Sequence, residues 1–435
     1  MTRLLLIIGL MVVVALVLRT RPVIAVLVAL TLWVALPAVA VPGLTGQPAG
    51  PLAIHPATWL VLAVFTVQLV FRPRPIGAAV ARHPLLVLCG IIFVGGCVWT
   101  SQANDSGGLK LLLDQILAPF LVFLVLVAYA RVDQRTILLV RNTILGLAAA
   151  QAILTLVQAR LGRMLLFEAQ YATLPWFNPL KFDRWMGTAD SPLILAFLLC
   201  VAAGLALGVR SVALRLGLLG LFLVSVLITQ SRTGVGIICV VILYSVLRSR
   251  MAVWARALAS LAVVAAGYVL VTSTLVVGFA SRLADDTGSA DARRRAISFI
   301  FANWAGYLFA GEGLTASYTV GRGAGLETSI ESSILMYAVD VGWALTLVYF
   351  GAQFALLMRH GFRHRLPGVT MAAGIAFVMP HVSSALAWSN FTGTFLWSTL
   401  ALVVLAGTIH DRPPPDVSQP SGAPAAASLA TSSAS

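Results

Sequence analysis

Apolar runs long enough to cross a bilayer recur from one end of this chain to the other, separated by short polar connections. A helix needs about 20 apolar residues to cross roughly 30 Å of hydrocarbon, and "LIIGLMVVVALVL", "VVAAGYVLVTSTLVVGF" and "LWSTLALVVLAG" are three of many such stretches. Of 435 residues, 60% are hydrophobic and 10% charged. That is too little polar surface to coat a water-soluble globule of this length. The expected fold is all-α, a polytopic transmembrane helix bundle.

Thirteen spans are expected, near 4–18, 22–41, 57–71, 84–100, 111–130, 136–159, 191–209, 212–229, 234–247, 257–279, 332–357, 367–388 and 395–410. The first and ninth are short, so about 12–13 crossings are counted. The N-terminal run has no small-residue cleavage site after it and reads as a retained span. The bundle then occupies 1–410, with a large outer loop at 280–331 inside it. A Pro/Ala/Ser-rich tail at 411–435 cannot bury a core.

The connections alternate in character. Arg19/Arg21, 71–83, 130–135, 210–215, 248–256 and 359–365 are short and basic. Short basic loops stay in the cytoplasm, so 42–56, 101–110, 160–190, 230–233, 280–331 and 389–394 face outward. The formal charge of +14 rests on 29 basic residues, 27 of them Arg. Their placement suits topology and lipid headgroups, and excludes a nucleic-acid groove. Cys89, Cys97, Cys200 and Cys239 have unrelated spacings and read as small buried hydrophobes, neither a metal site nor a disulfide framework.

Arg232 of "ITQSRTGVG" then lies on the outer face, against the general bias of Arg. So do Arg293, Arg294 and Arg295 of "SADARRRAISFIF". There an amphipathic helix is expected from Ala292 to Phe309, capped by Ser289 or Asp291 and ended by the glycines of "GEG" at 311–313. Arg near a helix N-terminus suits an anion. Taken singly, each Arg could equally serve solvation or lipid contact. Two separate outer Arg sites together suggest one polyanion, and a pyrophosphate fits guanidinium forks well.

With those residues in view, the chain resembles the O-antigen ligase / O-antigen polymerase family of bacterial membrane glycan enzymes. "TQSRTG" is similar to its Ser-Arg signature. Arg293 stands eighteen residues before Gly311 of "GEG", and "VDVGW" supplies Asp340 and Gly342 for the acid-x-Gly. The family His falls on Glu331 and its Asn on Ser332, a departure that favours a polymerase or a remoter branch over a ligase.

The resemblance implies polymerisation or ligation of polyprenyl-diphosphate-linked glycans at the outer leaflet of a bacterial inner membrane. An acceptor glycan or lipid hydroxyl attacks the anomeric carbon and polyprenyl diphosphate leaves. Arg232, Arg293 and Arg294 would hold the diphosphate, with Ser231 and Asp340 supporting. Glu331, or Glu327 one helical turn away, would act as base; the plain alternative is two acids placed for a helix dipole. No cofactor and no metal is implied. The partners are the lipid-linked glycan, the acceptor, membrane lipids and a chain-length regulator, with no nucleic acid.

Other features have two readings each. Asp340, inside a span, is functional or hydrogen-bonded to a neighbouring helix. Pro380 and His381 mark a kink. Tyr171, Trp176, Phe177 and Trp185 suit an interfacial belt or sugar stacking, and Lys110 and Asp114 face lipid or sugar. Two further functions stay open. A multispan polyprenyl-phosphate-sugar glycosyltransferase usually carries acids in its first outer loop, and 42–56 has none. A lipid-linked glycan transporter or flippase would favour an internal repeat and charges along the bundle interior.

Overall fold

A computed structural model describes residues 2–46, 53–104, 108–130, 133–174, 178, 183–248, 254, 261, 287–326, 330–362 and 366–410. The expected span 257–279 (Leu261 apart), the tail 411–435, and the residues Trp176, Phe177 and Glu327 lie outside them. Among the described residues every regular element is helical.

In chain order the helices are α1 (Thr2–Val17), α2 (Pro22–Ala35), α3 (Val41–Thr45), α4 (Pro56–Phe71), α5 (Pro73–Arg82), α6 (Pro84–Ala103) and α7 (Leu109–Tyr129). They continue with α8 (Gln134–Leu161), α9 (Pro192–Ala206), α10 (Val212–Thr229), α11 (Arg232–Leu247), α12 (Thr287–Ala302), α13 (Ala316–Gly323), α14 (Ser333–Val341), α15 (Trp343–Gly361), α16 (Val369–Val378) and α17 (Thr392–His410). Four of these, α6, α7, α8 and α10, are long and apolar enough to cross a membrane, or up to six with the bent pairs α2/α3 and α4/α5. Helices α1, α9, α11, α16 and α17 are apolar but shorter.

Burial sorts the helices into a centre and a flank. All of α9 except Leu193 is buried, and residues 392–407 on α17 are buried without a break. A helix apolar on every side belongs inside a bundle, and α7 joins these two there. On the flank the polarity is inverted relative to a soluble protein. Leu5, Leu6 and Leu10 on α1, Leu85, Leu88 and Ile91 on α6, and Leu347, Phe354 and Met358 on α15 are exposed. Contiguous exposed apolar rows of this kind are suited to hydrocarbon or to a protein partner.

The helix ends follow from local chemistry. Asp133 caps α8 by accepting the Thr136 N–H at 2.7 Å, and Gly162 closes it in the left-handed region at φ 64°. Stretch 71–83, expected as a loop, is the helix α5, bent 104° from α4. Pro73 starts it and Ile76 and Ala79 bury one side, so it runs across the end of the bundle. The span expected at 332–357 is divided at Gly342 (φ 94°) into α14 and α15. The helix expected over 292–309 is already formed at Thr287, ends at Ala302, and is followed by a 3-10 turn at Trp304–Tyr307. Arg293–Arg295 therefore sit beyond its first turn, which removes the N-terminal anion argument for them. The kink expected at Pro380 and His381 is a change from α-helix to a 3-10 turn at Met379–Val382.

The two ends of the bundle differ. At one, Gln68 donates to the Arg19 carbonyl, Tyr129 to that of Arg72 and Arg141 to that of Gly208, while His83 meets His360 edge-on. This is the basic end. At the other end the longer loops are stitched together, and the candidate site lies there.

Close helix contact in the centre depends on glycine. A Cβ on Gly204 would stand 2.8 Å from the Ala372 Cα, where α9 meets α16. Gly204→Val is expected to lower the thermal midpoint of the detergent-solubilised protein through overpacking of about 1–3 kcal/mol, as read by a thermal scan against wild type.

Candidate functional site

The polar interruption at 230–234 is a helix–helix turn. Helix α10 ends with Gln230 in the left-handed region at φ 57°, and its side-chain amide donates to the Asp183 carbonyl at 3.3 Å. Ser231 caps α11, its Oγ accepting the Gly234 N–H at 3.2 Å. Gly234 allows close helix contact, because a Cβ there would lie 2.8 Å from Val226 Cγ1 and 3.1 Å from Ala196 Cβ. Gln230, Ser231 and Gly234 are thus explained by the turn itself. Arg232 is the first residue of α11, half-buried, on the loop end of the bundle.

A second guanidinium shares this turn. Arg184 is buried, and its Nε donates to the Thr229 carbonyl at 3.0 Å, three residues before Arg232. The sequence offered one signal for it, an Arg among the aromatic and acidic residues of an outward loop. Asp183 beside it accepts from the Trp185 indole at 2.9 Å. Trp185 and Tyr171 do not form a belt or a sugar platform. Both are buried with Met164 and Met186 in a small core of their own.

From there a layer of buried polar side chains crosses the bundle end. Gln151 holds Thr188, and Gln158 holds the backbone on both sides of Gly187, which needs its φ of 62°. The Asp190 carboxylate accepts the Val39 N–H at 3.0 Å, and burial pushes it up to about 6 against those backbone donors and Lys110. Asp114 is fully buried, accepting from the His55 N–H (3.3 Å), Thr58 (2.7 Å) and Ser389. Gln115 donates to the Trp388 carbonyl and accepts the Gly393 N–H. Asp114 therefore faces neither lipid nor sugar. Lys110, half-buried one turn earlier, lies within Coulombic reach of Asp114 and Asp190. This layer anchors the loops, as buried polar groups must.

His55 shows how firmly. Its ring stacks on Trp33 at 3.7 Å, Nδ1 accepts the Ala57 N–H, and Nε2 meets the Leu36 carbonyl at 2.9 Å. Those partners require a neutral ring with its proton on Nε2, and burial holds its pKa down to about 3.

The glycines of "GEG" and "VDVG" form one junction. Glu312 N–H donates to the Val339 carbonyl and Gly313 N–H to that of Asp340, both at 2.8 Å. A Cβ on Gly311 would fall 2.4 Å from the Asp340 backbone, and one on Gly342 2.9 Å from Ala310 N. The Asp340 carboxylate, fully buried, accepts the Ser317 N–H at 2.7 Å and the Thr315 N–H at 3.1 Å. It holds the start of α13, with Thr315 left-handed at φ 75°. Asp340 thus makes the structural hydrogen bond to a neighbouring helix that is one of its two readings, the helix being α13. Beside this junction an open cleft of about 350 Å³ is lined by Asn303, Tyr307 and Glu312. Glu312 is exposed in it, and its charge adds to burial in raising the Tyr307 phenol.

Glu331 is half-buried with its backbone left-handed at φ 50°, outside α14. That departs from the expected helical pairing with Glu327, which lies outside the described residues. Two residues on, Ser333 donates from N–H and Oγ to the Ser383 carbonyl, both at 2.9 Å. Glu331 therefore adjoins the 383–390 segment that also meets Asp114 and Gln115. Arg294 is exposed on α12; Arg293 is on the same helix, with its side chain outside the described residues. The convergence of Arg232 with Arg293 falls outside them for the same reason. The contacts do put Arg232, Arg184, Asp340, Glu312 and Glu331 at one end of the bundle, opposite the basic loops.

Protein-family models, curated proteins and solved structures were each compared with this chain, and none matches it. The fold and the arrangement at the loop end define a helical bundle with apolar helices fit to cross a membrane and cationic residues at its less basic end.

Asp340→Ala orphans two backbone N–H groups at about 1–3 kcal/mol each, so the midpoint of a detergent thermal scan should fall clearly, with Asp340→Asn recovering part of the loss. His55 binds a proton only in the unfolded state between its ordinary value near 6.5 and its folded value of about 3. The stability it contributes is complete above 6.5 and is lost as pH falls through that window. His55→Asn should flatten the decline in thermal midpoint between pH 7 and 5.

Proposed function

We propose that this chain is a membrane glycan polymerase or ligase working at the outer leaflet of a bacterial inner membrane. Its donor is a glycan on polyprenyl diphosphate and its acceptor a glycan or lipid hydroxyl. The acceptor oxygen bonds to the anomeric carbon, the bond from that carbon to the diphosphate breaks, and the electron pair leaves with polyprenyl diphosphate. The acceptor proton goes to a carboxylate.

The observation that carries this reading is the Ser231 turn. It presents Arg232 at the start of α11 with Arg184 beside it, on the end away from the short basic loops. Guanidinium forks there suit a diphosphate, whose charge grows as the leaving group departs. Arg293 and Arg294 remain assigned to the same group by resemblance. Ser231 supports by capping, and Asp340 by holding the loop. Glu331 is the first choice of base: a non-glycine residue held left-handed is costly and tends to persist where function needs it. Glu312, in its open cleft, is the second. Glu327 is retained only through its position in the resemblance.

The test is conversion of a lipid-linked repeat unit by purified protein in detergent, where transport has no meaning. Release of polyprenyl diphosphate with longer glycans is the expected result, and unchanged substrate would favour a transporter. Arg232→Ala and Arg293→Ala should each lower the rate by one to two decades, about 1.5–3 kcal/mol for a charge-assisted contact, at unchanged protein abundance. Near-normal polymer from both variants would refute diphosphate binding by these two side chains.

A further inference from the structure

Helix α12 buries one side and exposes large apolar residues beside polar ones on the rest. Ala296 and Ile300 pack against Leu326, Ile330, Met336 and Val339. Ile297, Phe301, Trp304 and Phe309 are exposed, at 46%, 63%, 50% and 75%. A helix bathed in water would put polar residues at such positions. On α12 Ile297 and Phe301 share the exposed surface with Asp291, Arg294, Arg295 and Ser298, and the apolar residues run on past its end through Trp304 and Phe309.

The position of this segment says what covers it. The Leu308 carbonyl accepts the Ala344 N–H at 3.0 Å, and the Phe309–Ala310 backbone lies against Gly342. Phe309 is therefore level with the first turn of α15. That helix shows its own exposed apolar row, Leu347, Phe354 and Met358. The bare face of 297–309 continues this row at the loop end of the bundle. Apolar residues with Trp at the edge and cations beside them match the boundary between acyl chains and headgroups.

We propose that residues 294–309 form an interfacial anchor, with Phe301, Trp304 and Phe309 entering the acyl boundary of the surrounding leaflet and Arg294 and Arg295 lying against lipid phosphates. The anchor is independent of the glycan reading, because a transporter or a structural bundle would carry it equally. It would hold the Glu312 cleft at headgroup level. Arg294 then contacts membrane phosphate, which competes with its assignment to the diphosphate.

The test uses the full chain in phospholipid nanodiscs, with Cys89 and Cys239 changed to Ala. Nitroxides are placed at Phe301→Cys and Phe309→Cys, with Glu168→Cys as the water-exposed reference. Collisional relaxation by oxygen and by a soluble nickel chelate is then compared. At 301 and 309 the ratio of oxygen to nickel relaxation should exceed that at 168 by roughly threefold or more, as burial at the acyl boundary requires. A ratio equal to the reference means open water and overturns the proposal. Protection from both agents means a protein covers the face and also overturns it. Should a label disturb the packing on Gly342, brominated-lipid quenching of unlabelled protein gives the same decision. Quenching should fall in Trp304→Phe, and an unchanged quenching curve would count against the anchor.

Discussion

Hydrogen-bond satisfaction at the loop end is the constraint on which the rest of this structure depends. Helices satisfy their own backbones, but the segments joining them do not, and hydrocarbon offers no water to make up the difference. The chain solves this with side chains carried on the helices themselves. Asp114, Gln115, Gln151 and Gln158 sit on spans and reach into loops distant in sequence. Asp340 does the same for the start of α13. Remove that layer and the loops bearing Arg184, Glu312 and Glu331 lose a large part of what holds them in register.

The same constraint separates scaffold from candidate chemistry. Ser231, Gly234, Gly311, Gly342 and Asp340 are each accounted for by a cap, a close backbone approach or a buried acceptor. Polar residues in an apolar chain invite functional readings, and most of these are architectural. The proposed glycan transfer draws on Arg232 at the start of α11, on Arg184, whose Nε donates to the Thr229 carbonyl, on Glu331 at φ 50°, and on Glu312 in its cleft.

Periodicity, length and loop charge make much of the fold legible in the sequence. Among the described residues the apolar runs are helices, mostly within a few residues of the expected bounds, because a span must satisfy its own backbone and must be apolar to do so in lipid. The departures have separate causes. At Gly342 the Phe309–Ala310 backbone packs against the helix, after Phe71 Pro73 starts a new one, and past Ala302 the Asn303 side chain turns back onto the Phe299 carbonyl. Tyr171 and Trp185 read as surface aromatics because nothing local distinguishes a buried aromatic in a loop from an exposed one.

By itself the sequence determined the helical class, the apolar helices, and which end of the bundle is poor in cations, since each follows from composition and order along one strand of chain. Only the tertiary structure decided which polar residues face one another. Asp114 meets Ser389 across 275 residues and Asp190 meets Val39 across 151. Such pairings depend on how helices far apart in the chain are arranged side by side, and no local pattern encodes that arrangement.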